Sequence, residues 1–173
     1  MAASRPFAKL HLDVAGLGII LYSPFAVAHI AEGDDYLQAQ FWEPEAVAKH
    51  VMACGLTCFC TGSPGRYRLS FIQACPPDDV VNRATLKLRL GIEVRDSTVC
   101  VRDLYDLMDW SAECPEGQQV KLADGFYRIT VLSATPRSGI TGDNQRITLY
   151  FDQVKKKPQL RYEGVPSLLP DGT

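Results

Sequence analysis

From Thr85 to Val94 the chain alternates so regularly that Leu86, Leu88, Leu90, Ile92 and Val94 share one face of an extended segment. Lys87, Arg89 and Glu93 fall on the other face. A run of period two and this length does not fit a helix, and its apolar side needs a second layer to cover it. Shorter segments carry the same signature: Lys9 to Val14, Leu17 to Tyr22, Leu56 to Cys60, Arg66 to Ile72, Thr98 to Val101, Phe126 to Leu132 and Arg146 to Phe151. Phe25 to Ile30 is a further strand candidate, ending in the polar loop Ala31-Glu32-Gly33-Asp34-Asp35. Short connections predict that Lys9 to Val14 neighbours Leu17 to Tyr22. Gly62-Ser63-Pro64-Gly65 predicts a hairpin joining Leu56 to Cys60 with Arg66 to Ile72, and Asp96-Ser97 predicts that Thr98 to Val101 partners the Thr85 to Val94 strand.

Helical signals are few. Between Glu43 and Cys54 the apolar residues Val47, Val51 and Cys54 recur at helical spacing, with Pro44 and Glu45 in the opening turn and Gly55 just past the end. Asp103 to Trp110 places Leu104, Leu107 and Met108 at a spacing suited to one or two turns. The expected fold is therefore mainly β, an antiparallel β-sandwich or open barrel with one or two short helices. Residues 1–154 should form a single domain, followed by an extended tail over 155–173 that contains Pro158, Pro166 and Pro170.

A chain of 173 residues has enough interior for one core, burying roughly 70% of its unfolded surface. Eighteen Lys and Arg against twenty Asp and Glu leave a net charge of -2, which argues against a protein that binds nucleic acid chiefly by neutralising phosphates. No apolar run approaches the length of a membrane helix, and the opening MAASRPFAKLHLDVAG has no basic segment followed by an apolar stretch and cleavage site. The expectation is a cytoplasmic protein with no membrane span. The six cysteines fit that compartment as free thiols, with Cys54, Cys58, Cys60, Cys75 and Cys100 in apolar sequence and Cys114 in a loop that solvent can reach.

The residues that carry familiar chemistry are sparse. Gly16-Leu17-Gly18 begins like a dinucleotide fingerprint, but Leu21 occupies the third glycine position and the following residues are β-like. No Gly-x-Ser-x-Gly elbow, His-Glu-x-x-His pair or phosphate-loop lysine occurs. His50, Cys54, Cys58 and Cys60 are the best candidate metal ligands, and packed core cysteines are the alternative reading. His11 and His29 lie without acidic neighbours, as structural side chains do. Lys155-Lys156-Lys157 reads as a charged guard on a sheet edge rather than a phosphate grip. No cofactor is expected.

Charge is distributed more informatively than the motifs. Glu93 to Glu116 holds seven acids against Arg95 and Arg102, whereas the residues after Gly117 hold eight bases against five acids. Three-residue spacing would align Asp103, Asp106 and Asp109 beside Trp110. Such a surface suits a protein partner whose own site receives phosphate, because a positive cleft attracts carboxylates by the same field. An ordinary solvated face is the plainer explanation of the same acids.

The order and spacing of several pieces add to this. Paired strands from Leu10 to Tyr22 precede the helix start Trp42-x-x-Glu45-Ala46-Val47 and the strand Tyr67-Arg68-Leu69-Ser70-Phe71. Leu86 to Val94 then comes with Val99-Cys100-Val101, and Asp124-Gly125-Phe126-Tyr127-Arg128-Ile129 leads into Ile147 to Val154. In this arrangement, which covers most of residues 8–154, the chain resembles the competence protein J family of small bacterial inhibitors of DNA-uptake nucleases, and related β-rich toxin immunity proteins. The segment Asp103 to Glu116 and the long tail depart from that pattern.

The resemblance implies a non-enzymatic immunity or inhibitor protein that binds a cognate nuclease toxin one-to-one and blocks its active site, without touching nucleic acid or membrane itself. Asp34, Asp35, Trp42, Asp103, Asp106, Asp109 and Trp110 are the candidate partner-binding residues, with carboxylates facing the basic or metal-bearing groups of the nuclease and an aromatic ring sealing the rim. Two other readings stay open. A small ligand-binding β-barrel or an enzyme with a dispersed site would show a deep pocket with convergent polar groups, and a structural subunit would show a large self-complementary apolar patch.

Overall fold

The computed structural model describes residues 4–169. The protein is mainly β, with two sheets and three short helices. A five-stranded sheet runs in the order β1 (Ala8–Val14), β4 (Gly65–Ile72), β9 (Gln145–Val154), β8 (Gly125–Ser133), β5 (Leu86–Val94). A four-stranded sheet runs β3 (Thr57–Cys60), β2 (Gly18–Tyr22), β6 (Thr98–Asp103), β7 (Gln119–Lys121). Leu10, Leu12, Tyr67, Leu69, Ile129, Ile147 and Leu90 from the first sheet join Ile19, Leu21, Phe59, Val99 and Val101 from the second in one continuous core. No helix among the described residues is long and apolar enough to cross a membrane.

The long alternation behaves as its pattern demands. Leu86, Leu90, Ile92 and Val94 are buried while Lys87 and Arg89 are exposed, and β5 pairs antiparallel with β8 along its whole length. Strands β2 and β6 differ, because every one of their residues is buried. Such strands are covered on both faces, which explains the unbroken apolar run Ile19-Ile20-Leu21-Tyr22. The second cover is a layer of short elements over the outer face of the four-stranded sheet, including α1 (Tyr36–Gln40), α2 (Pro44–Met52) and the 3-10 turn Leu104–Met108.

Several expected pairings are corrected. The chain crosses between the two sheets at β1 to β2, at β3 to β4 and at β5 to β6. None of those three sequence-adjacent pairs is hydrogen-bonded as a hairpin. At the first crossing, Ala15 N–H donates to Asp103 Oδ2 at 2.7 Å, so a side chain of β6 holds the corner. At the third, Ser23 Oγ accepts from Arg95 N–H at 2.9 Å and donates towards the Arg95 and Thr98 carbonyls, on either side of the left-handed residues Asp96 and Ser97. The sheets are otherwise antiparallel, but β4 and β9 run parallel, with Arg68 opposite Arg146 and Leu69 opposite Ile147. That seam joins the N-terminal strand pair to the C-terminal part of the sheet.

Local elements also differ. Phe25 to Ile30 is not a strand; Pro24 opens a 3-10 turn, Pro24–Val27, because its fixed φ suits a first helical position. Helices α1 and α3 (Asp78–Arg83) and strand β7 were not foreseen. Helix α3 belongs with a small second cluster of Ile72, Leu132 and Tyr150 on the outer face of the five-stranded sheet, where Val80 and Val81 pack. The left-handed residue after α2 is Cys54, with φ 58°, rather than Gly55. Its carbonyl accepts from Glu93 N–H at 2.8 Å, and its sulfur occupies the space that a Cβ on Gly91 would enter, 2.7 Å away. All six cysteines are free. Cys75 is the exposed one, and Cys114 is buried because its thiol tucks under the turn Glu116–Gln118 towards the Gln118 carbonyl.

Residues 155–169 form no helix or named strand and meet the body at a few points. Ser167 bridges Cys60, Cys60 N–H donates to the Pro166 carbonyl at 2.7 Å, and Leu168 N–H donates to the Cys60 carbonyl at 2.9 Å. Leu168 is buried, and the Tyr162 hydroxyl bonds the Arg89 carbonyl.

Candidate partner-binding face

The seven candidate residues come from two segments, 31–42 and 103–112, and the fold brings those segments together. Gly33 N–H donates to the Trp110 carbonyl at 2.7 Å, and Trp110 N–H donates to the Asp34 carbonyl at 3.0 Å. Ala112 N–H is held by Glu32 Oε1 at 2.7 Å, and α1 packs against the turn Leu104–Met108. Both segments therefore share the outer layer over the four-stranded sheet.

Within that layer the residues play different parts. Trp110 is only 1% exposed, so its ring is a floor rather than a contact. It packs on Tyr22 with ring centroids 5.6 Å apart, and Arg102 lies over it at 4.9 Å. Arg102 is the hub beneath the face: Nε donates to Asp106 Oδ2 at 2.9 Å, and Nη1 donates to the Tyr22 hydroxyl at 3.1 Å and the Ser111 carbonyl at 2.7 Å. Burial opposes its charge, but the bonds to Tyr22 and the Asp106 carboxylate more than reverse that effect and raise its pKa. Burial likewise raises the Tyr22 hydroxyl above its ordinary range, against the pull of Arg102.

Asp103, 9% exposed, is a structural cap. It accepts from the N–H groups of Ala15, Gly16 and Tyr105, so its oxygens are committed to the chain. Asp35 caps α1 by accepting from Gln38 N–H at 2.9 Å but remains exposed. Asp34 and Asp109 are exposed, and Asp106 is half-buried. Glu32 and Glu113 add two further exposed carboxylates that were not among the candidates.

Trp42 is 70% exposed at the opposite end of α1 from Asp35. Five residues of helix, about 7.5 Å of rise, lie between them. Leu17, Tyr105, Met108 and Val165 are further exposed apolar side chains. Leu17 and Val165 border a crevice of about 100 Å³ that is also lined by Phe41, Val47, Phe59 and Leu104. The face thus combines exposed acids, a projecting indole and an apolar cleft.

A polar chain beside it was not legible. The Tyr36 hydroxyl stands 3.0 Å from His50 Nε2 and 3.2 Å from His29 Nε2. His50 Nδ1 lies 2.8 Å from the Ala46 carbonyl and donates to it, so Nε2 accepts from Tyr36. No sequence period relates residues 29, 36 and 50. With His50 engaged in this way and the Cys54 sulfur turned to the Pro158 carbonyl, the His50, Cys54, Cys58 and Cys60 set does not converge. Among the described residues, no three His, Cys, Asp or Glu side chains are grouped to hold a metal ion.

Neither the protein-family models nor the curated proteins include a match to this chain. Two solved structures are similar in fold. One is crocagin biosynthetic gene J, at 13% identity and TM-score 0.50 over 86% of this chain and 98% of that one. The other is ComJ, inhibitor of the DNA degrading activity of NucA, from Bacillus subtilis, at 12% identity and TM-score 0.55 over 88% of this chain and 100% of that one. The chain has a ComJ-like fold.

Proposed function

We propose that the protein is a non-enzymatic inhibitor that binds a nuclease one-to-one through the face built by residues 31–42 and 103–113 and occludes its active site. The observation that carries this reading is the presence of exposed Asp34, Asp35, Asp109, Glu32 and Glu113 and the projecting Trp42 in one layer. Carboxylates match a cleft that holds phosphate, and a desolvated indole supplies the anchor that a patch of roughly 800 Å² per partner needs. The likeness to ComJ supports the same reading at the level of the fold. A toxin-immunity role and action inside the producing cell belong to this proposal.

A ligand-binding or biosynthetic role is the second reading, favoured by the likeness to crocagin biosynthetic gene J. The apolar crevice beside Leu17 and Phe41 does not serve it, since about 100 Å³ is well below the 300–1,000 Å³ of most small-molecule pockets.

The test is inhibition. Tagged protein recovered from its source cells should retain a nuclease, and one equivalent should stop that nuclease from digesting plasmid DNA. Undiminished digestion at tenfold excess would sink the proposal. With the partner in hand, Asp34→Asn, Asp109→Asn and Glu113→Gln together should slow association several-fold at low salt and flatten its dependence on ionic strength. Trp42→Ala should instead speed dissociation, at a cost of about 2 kcal/mol.

A further inference from the structure

The five-stranded sheet has an outward face that the partner-binding layer does not use. Three strands there place basic side chains in register: His11 on β1 lies opposite Arg68 on β4, and Arg68 lies opposite Arg146 on β9. Registered residues point to the same side, and all three are exposed. Lys9 is two residues from His11 on the same face.

Neighbouring positions neutralise their charges. Arg66 is paired with Asp13, and Arg128 with Asp152. Arg68 and Arg146 form no salt bridge and donate no side-chain hydrogen bond among the described residues. Like charges directly opposite each other on adjacent strands destabilise a sheet, so this pair is a local cost that a bound anion would remove.

The surface is also shaped there. A hollow of about 320 Å³ is lined by Lys9, His11, Arg68, Ser70 and Arg146. A second, of about 480 Å³, is lined by Arg68, Arg137, Arg146, Asn144 and the carboxylate Asp143. Arg68 and Arg146 line both hollows. Adjacent strands are about 4.8 Å apart, so the backbones bearing His11 and Arg146 stand about 10 Å apart, wider than one inorganic ion requires.

We propose that Arg68 and Arg146, flanked by Lys9 and Arg137, form a binding site for a phosphate ester, either of a free nucleotide or carried on a nucleic-acid strand. The guanidinium fork matches phosphate geometry, and a doubly charged phosphate monoester engages two forks at once where a single carboxylate engages one. Ser70, Thr135 and Asn144 supply polar groups for the sugar. The site was hidden in the sequence because its cations are drawn from residues 9 to 146 and the overall charge is negative.

Fluorescence anisotropy of a 12-nucleotide single-stranded DNA, phosphorylated at its 5′ end and labelled at its 3′ end, tests this with the full chain. At 50 mM salt the strand should bind, and log K should fall with log salt at a slope of roughly -2 to -3, as three to four phosphate contacts on a single strand require. Arg68→Gln with Arg146→Gln should weaken binding at least tenfold with an unchanged circular dichroism spectrum, and charge reversal to Glu at both positions should abolish it. Competition by adenosine 5′-monophosphate at its own low concentration would assign the site to free nucleotides, and competition only by unlabelled strand would assign it to nucleic acid. Failure of strand and mononucleotide to bind, equal affinity in the Gln double variant, or equal competition by polyglutamate would each overturn the proposal.

Discussion

At Asp103 one carboxylate serves three backbone donors in three different settings: the chain leaving β1, the corner glycine Gly16, and the first turn of Leu104–Met108. Removing it orphans those N–H groups where water has little access. Asp103→Ala should therefore cost about 2 to 3 kcal/mol, read as a lower urea midpoint, while Asp103→Asn, which keeps one carbonyl acceptor, should cost less. Equal stability of the alanine variant would show that the corner is held by other contacts. This residue also shows how far the site was legible. Its place in an acidic series is visible in the sequence, but whether a carboxylate in that series faces solvent or a backbone corner depends on β1 arriving beside β6, which no local pattern records. The same holds for the two tryptophans. Trp42 and Trp110 carry similar sequence signals, yet one projects at 70% exposure and the other is sealed between Tyr22 and Arg102.

Among the elements, those with a strict period were legible and those defined by a partner were not. Strand β5 announces itself through five alternating apolar residues, whereas the three residues of β7 are a strand because Val120 meets Val99 on β6. Hairpin reasoning failed at Gly62 to Gly65 and at Asp96-Ser97 because a turn sequence fixes a reversal of direction and not the sheet that the next strand joins. The bridge from Ser167 to Cys60 has no period to read. Leu168 is the buried side chain beside that bridge, with only 2% exposure. Leu168→Ala should lower stability by about 2 to 3 kcal/mol and speed amide exchange at Cys60 and Leu168 ahead of the rest of the core. Unaltered exchange at those two amides would mean that the bridge is held elsewhere.

For the molecule as a whole, the protons that matter to stability are alkaline ones. Burial pushes the Cys58 thiol up to about 12 and raises Tyr22 and Tyr67. In the unfolded chain such groups ionise near pH 8.5 and pH 10, so above those values the folded state holds more protons than the unfolded state. Stability should stay level up to about pH 8 and decline as the pH rises beyond it, by about 2 kcal/mol at pH 10 from Cys58 alone. Urea titrations at pH 7.5 and pH 10 measure the decline, and Cys58→Ala should flatten it; a profile that rises towards pH 10 would contradict the burial assigned to these groups.

The parallel contact between β4 and β9 sets the order in which a growing chain can settle. Ile72 leaves the ribosome long before Gln145, and translation of the intervening residues takes roughly 4 to 15 seconds. Throughout that interval one lateral border of the nascent N-terminal half lacks its neighbour, so the time of greatest vulnerability to aggregation falls during synthesis and ends only when the last long strand emerges.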